Sequence, residues 1–227
     1  MSRITAFAAA FGVLAQSLTA SHLANEASVS ETVLPQTFVS HDVTGNVTLR
    51  AHIVVEGLDV DGQLDEPIYR DIEPVAGFIQ QEPNEGAEAT ERTEAWILYD
   101  AENLYVSARL WDSAPEQMVA NELRRDNRNI VQNESFAVVL DTFHDRRNGF
   151  FFQTNALGAL RDGLITDERN ANFDWNTVWD VQTGSFENGW TIEMVIPFKS
   201  LRFREKGDQV WGSIFTDLCV GRTSTRL

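Results

Sequence analysis

Short runs of β-branched and aromatic residues, joined in pairs by turns too short to hold a helix, constrain this chain more than any other feature. Trp96–Asp100 and Leu104–Asp112 flank Ala101-Glu102-Asn103, and Ser135–Phe143 and Gly149–Ala156 flank the five residues from His144 to Asn148. Val178–Phe186 and Trp190–Phe198 are joined through Glu187-Asn188-Gly189. Asn-Gly is a strong hairpin signal because both residues tolerate positive φ. A strand over Val47–Val55 and a last one over Gln209–Phe215 bring the expected number to about eight or more. Helical signals are brief, at Pro67–Ile72 and Pro197–Leu201, and no amphipathic helix of ordinary length separates the strands. The expected class is therefore all-β: an antiparallel, jelly-roll-like β-sandwich with short helical turns.

The chain has 227 residues, enough for one sizeable β domain with its own core. Residues 1–20 have the anatomy of an export leader: Arg3 as a positive start, an apolar run from Ile4 to Leu14, and the small-residue end Leu18-Thr19-Ala20. The apolar run is too short to span a bilayer, and no transmembrane helix is expected elsewhere. Residues 21–46 read as a lead-in without firm periodicity, residues 47–216 as the sandwich and residues 217–227 as an atypical tail. A formal net charge of -16 argues against a nucleic-acid partner, which needs clustered Lys and Arg to displace counterions. One cysteine, Cys219, makes no internal disulfide, so the core alone must hold an exported domain together.

The run from Asp141 to Asp180 adds aromatic, carboxylate, amide and arginine side chains to a hairpin, a mixture far too polar for core alone. Sugars present apolar C–H faces and hydroxyls, so their sites combine flat aromatic rings with planar hydrogen-bonding groups. Trp175, between Asp174 and Asn176, is the expected stacking platform, with Asp174 as an acceptor. Trp179 begins an alternating strand, which favours a place in the core. Arg124, Arg125 and Asp126 offer forked donors and an acceptor for vicinal hydroxyls, or alternatively an ion-pair network bracing the loop from Asn121 to Asn133. Asn155, Arg161 and Asp162 are further polar candidates, and Asp112, Asp141 and Asp145 are weak nominations for a cation, with the metal residues left open. Catalytic signatures are missing: there is no GxSxG, HExxH, P-loop or GxGxxG, and nothing marks Glu134, Asp141, Asp167 or Glu168 as a glycosidase pair.

Several segments together resemble the family 9 carbohydrate-binding modules: DGQLDEP at Asp61–Pro67, Ala89–Val106, Arg124–Asp126, the Asp141–Asp180 run and GWTIEMVIPFKSLRF at Gly189–Phe203. They look most like the exported subgroup in which such a module precedes a C-terminal domain that forms an outer-membrane barrel. The resemblance implies a β-sandwich, an oligo- or polysaccharide partner, calcium as a structural ion and a periplasmic or outer-membrane setting linked to carbohydrate catabolism. It also leaves two alternatives open: hydrolysis of O-glycosyl bonds, and a periplasmic domain of a membrane barrel that binds no sugar. The pattern is broken at Tyr69, where the family places Trp, and at Trp96, where a polar residue is expected. After Trp211-Gly212 the family ending gives way, and reading Cys219–Ser224 two bases out of frame restores Arg-Arg-Gln-Asn-Glu. A frameshifted tail and a lost C-terminal domain are the expectation there.

Overall fold

The computed structural model describes residues 2–6, 39–41, 47–55, 57–168, 170–204, 207–219 and 224–226, with side-chain surroundings defined from Leu49 to Cys219. The larger of two sheets has ten strands. Its main path runs β11 (Asn170–Asn172), β10 (Arg161–Thr166), β9 (Gly149–Asn155), β8 (Ser135–Asp141), β14 (Gln209–Leu218), β1 (Ser2–Ala6), β3 (Val47–Leu49), β2 (Val39–His41). Beside the same edge of β14 lie β15 (Ser224–Arg226) and, next to it, β5 (Ile79–Gln80). The second sheet orders β12 (Asp180–Phe186), β13 (Gly189–Pro197), β7 (Asn103–Trp111), β6 (Thr93–Tyr99) and β4 (His52–Ile53). Pairing is antiparallel apart from β1 with β3 and β4 with β6. The result is an all-β sandwich in which all three expected hairpins are present as β6–β7, β8–β9 and β12–β13.

Between the sheets, side chains alternate as the strand period demands. Leu104, Val106, Ala108 and Leu110 of β7 and Ile192, Met194 and Ile196 of β13 meet Phe136, Val138, Leu140, Phe150, Phe152 and Phe215 from the larger sheet. Among the described residues, helical content is a single turn, α1 (Ile68–Asp71), and three 3-10 turns at Pro115–Gln117, Arg128–Gln132 and Phe198–Ser200. The structure differs from the sequence reading at four places. The expected strand Val47–Val55 divides into β3 and β4, one in each sheet, and β10 and β11 fill a stretch read as loop. Ser2–Ala6, read as the start of a leader, lies as β1 along β14, and β14 itself continues to Leu218 with Cys219 buried behind it. The leader beyond Ala6, most of the lead-in and tail positions 220–223 and 227 lie outside the described residues.

The outer face of the five-stranded sheet is covered. Residues 54–72 fold across it and bury Val54, Leu64, Tyr69 and Ile72 against Trp96, Leu98 and Tyr105. This cover explains why β6 and β7 are buried on both sides although one face of an isolated hairpin would be wet. The lock is polar: the Glu193 carboxylate, fully buried, accepts from the backbone N–H of Asp61 at 3.0 Å and Gly62 at 2.8 Å, and from Tyr69 Oη at 2.7 Å. Gly62 has φ +86°, and a Cβ there would lie 2.5 Å from the carbonyl carbon of Thr183. The two resemblance segments at Asp61–Pro67 and Gly189–Phe203 thus meet in one structural clasp. Tyr69 and Trp96, the two positions that depart from the family pattern, also touch, edge to face at 5.4 Å. Trp96 donates its N–H to Ile72 O at 3.3 Å.

Candidate functional site

Of the nominated residues, Arg125, Asp126, Asp162 and Trp179 meet at one loop junction, and most of their polar capacity is spent there. Asp162, fully buried, accepts from Arg125 Nη2 at 2.6 Å, Thr177 N at 2.7 Å and Trp179 Nε1 at 3.2 Å. Arg125 also donates to Asn176 Oδ1 and Thr177 O and pairs with Asp126 at 3.4 Å. Asp126 accepts in turn from Asp162 N at 3.4 Å. Arg124 is bound through two nitrogens to the Glu122 carboxylate, each at 3.0 Å. Trp179 packs edge to face on Phe152 at 5.2 Å and is a core residue, because its N–H and ring are both enclosed. The bracing alternative for Arg124, Arg125 and Asp126 describes what these side chains do in this structure.

Trp175 is half-buried and tilted against Phe150 at 5.4 Å, where it closes the edge of the sandwich, while Asp174 is exposed. Asn155 is fully buried and spends its amide on Glu122 O, Asn133 Oδ1, Leu157 N and Ala159 N. Asp141 and Asp145 hold the β8–β9 turn: Asp141 accepts from the N–H of Asp145 and Arg146, and Asp145 from those of Arg147 and Asn148. Asp112 is buried with Glu91, Glu134 and Asp217, and burial first, then the fields of Glu91 and Asp112, raises the Asp217 carboxyl to about 6. Among the described residues no three His, Cys, Asp or Glu side chains converge to hold a metal ion.

The open surface lies elsewhere, on the outer face of the ten-stranded sheet. A groove of about 370 Å³ crosses β14, β8, β9 and β10, floored by Val139, Gly149, Ile165, Gly212 and Ile214. Its walls are polar: His144, Arg146, Arg147 and Asn148 from the β8–β9 turn, Glu168 from the β10–β11 turn, and Gln81 from beyond β5. From this floor the cross-strand pairs Gly149–Ile165, Phe151–Gly163 and Gln153–Arg161 run along one face for about 13 Å. Gly163 leaves room for Phe173, since a Cβ there would lie 2.8 Å from Phe173 Cδ1. Phe173 meets Phe151 edge to face at 5.5 Å and lies over the Arg161 guanidinium at 3.8 Å. Arg161 is only 8% exposed; its Nη1 donates to Gln153 Oε1 at 3.1 Å, and its enclosed Nε meets no acceptor among the described residues.

This arrangement has what a saccharide surface requires: an apolar floor for C–H faces, aromatic edges beside it and polar walls. No protein-family model and no curated protein sequence matches the chain. Solved structures do match by backbone. One is a family 9 carbohydrate-binding module from Caldicellulosiruptor kristjanssonii in complex with glucose, at TM-score 0.53 and 16% identity over 78% of this chain and 84% of that one. The fold is that of a family 9 carbohydrate-binding module. A module of the same family and organism in complex with cellotriose gives TM-score 0.50 at 15% identity, covering 78% and 82% of the two chains. A protein from Bacteroides uniformis to which carbohydrate binding has been attributed gives TM-score 0.59 at 11% identity, covering 78% and 86%.

Within this family 9 fold, the sequence reading named Arg161 but not its neighbours Gln153, Phe151 and Phe173, nor the groove floor. The missing piece was β10. Once Arg161–Thr166 is a strand, alternation assigns Asp162 to the inside and Arg161 to the outer face.

Proposed function

We propose that the chain is a non-catalytic carbohydrate-binding module whose ligand lies along the outer face of the ten-stranded sheet. The observation that carries this reading is an apolar-floored groove and the Phe151, Phe173, Gln153 and Arg161 cluster on one outer face, which no other layer covers among the described residues. Glucose and cellotriose in complexes of the two matching modules support a saccharide as the ligand class. Ring contacts come from Phe173 and Phe151 and hydroxyl contacts from the β8–β9 turn, while Gln153, spent on Ser135 and Arg161, holds the arginine in place. Trp175 remains the competing platform from the sequence reading, at the sheet edge.

Calorimetric titration with glucose, cellotriose and a broad oligosaccharide panel tests this. Phe173→Ala should weaken the best ligand about fivefold or more, a loss in the range of one aromatic contact, while Trp175→Ala leaves affinity within about twofold. The reverse pattern moves the site to the loop junction, and no heat across the panel removes the function. Export is part of the same proposal, resting on the leader anatomy at the N-terminus. Intact-mass analysis of the secreted protein should show cleavage near Ala20, which removes β1 from its place along β14.

A further inference from the structure

Burying a guanidinium is costly unless a counter-charge accompanies it. Arg161 is nine-tenths buried, yet no ion pair to it exists among the described residues, and its nearest hydrogen-bond partner is the neutral amide of Gln153. The neighbouring Asp126 is engaged with Arg125 at 3.4 Å, and a second cation, Arg128, bears on Arg161 as well. Burial, with the field of Arg128, lowers the proton affinity of the guanidinium, as expected of a charge held without a close partner. Phe173 and Phe151 cover its π face at 3.8 Å and 5.8 Å and Nη1 is spent on Gln153, so the enclosed Nε edge, unpartnered among the described residues, meets a ligand when the Phe173 ring turns aside. At the other end of the face, the groove wall adds Arg146 and Arg147. Asp141 and Glu168 line the same groove and Arg147 is paired with Asp167 at 2.6 Å, so these two arginines are offset and the charge preference of the face rests on Arg161.

We infer that this face selects acidic saccharides, with the carboxylate of a hexuronate unit paired to Arg161. This rests on the saccharide-binding reading above and names its ligand class. A carboxylate accepts two parallel N–H bonds from a guanidinium, whereas a hydroxyl gives no counter-charge. The uronate ring then takes the place over Gly163 that the Phe173 ring vacates, and adjoining units run past Ile165 into the groove.

The test compares trigalacturonate with galactotriose, the same trisaccharide without carboxylates, by calorimetry on the full chain. Ionic strength is held at about 0.15 M so that the long-range field of the acidic protein is screened. Trigalacturonate should bind about tenfold tighter or better, the scale of one charge-assisted contact. Arg161→Gln should bring the two ligands within about threefold, and Arg161→Lys should keep part of the preference. Equal affinity of the wild type for both ligands overturns the inference and leaves saccharide binding standing; so does a preference that survives in Arg161→Gln. Binding of neither, together with silence across the wider panel, overturns both readings. Should Arg161→Gln not fold, the wild-type comparison decides alone.

Discussion

Two buried carboxylates carry much of the local specificity of this molecule. Asp162 ties Arg125, the Thr177 backbone and Trp179 together from inside β10. Its replacement in Asp162→Ala strands three donors, and a loss of about 3 kcal/mol is expected in denaturant unfolding. Glu193 is held by two backbone N–H groups and Tyr69, but burial dominates and pushes its carboxyl from 4.5 up to about 7. A carboxyl whose pKa rises on folding stabilises the folded state fully below its unfolded value, and this contribution is lost as pH climbs through the folded value. The stability advantage of wild type over Glu193→Gln should therefore shrink between about pH 5 and pH 8, measured by thermal unfolding. A constant or growing gap would contradict the assignment. Both residues could be named in the sequence, but their roles depend on partners 15 to 132 positions away, which no local pattern reports.

At the scale of elements, the hairpins were legible because composition and turn chemistry agree. Trp190–Phe198 alternates inward Ile192, Met194 and Ile196 with outward Thr191, Glu193 and Val195, and Gly189 closes the turn before it. β10 was not legible, since Arg161-Asp162-Gly163 places polar or small residues on both faces and resembles a turn. Its polarity has a physical reason on each side: Asp162 braces the loops within, and Arg161 packs between Gln153 and Phe173 on the outer face. The segment 54–72 was visible as DGQLDEP, yet its role as a cover over the second sheet follows only from the Glu193 clasp. Gly62→Ala tests that clasp. A Cβ at φ +86° and 2.5 Å from the Thr183 backbone must displace the cover, so a loss of about 3 kcal/mol or more is expected, with exposure of Trp96 to quenchers.

Considered whole, the sandwich is asymmetric: one outer face is covered by residues 54–72, and the other carries the groove and the Phe173–Arg161 corner. The motifs behind the family resemblance lie mainly in the clasp and the loop junction, which is why they gave the fold reliably and the ligand face poorly. The proposed ligand face is assembled from β8, β9, β10 and β14, strands separated by turns and by more than forty residues of chain. Hydrogen–deuterium exchange with and without a saturating oligosaccharide tests this account most directly. Added protection is predicted in β9, β10 and the His144–Asn148 turn, with residues 54–72 unchanged. Protection confined to residues 54–72, to the Arg125–Trp175 junction, or to neither would contradict it.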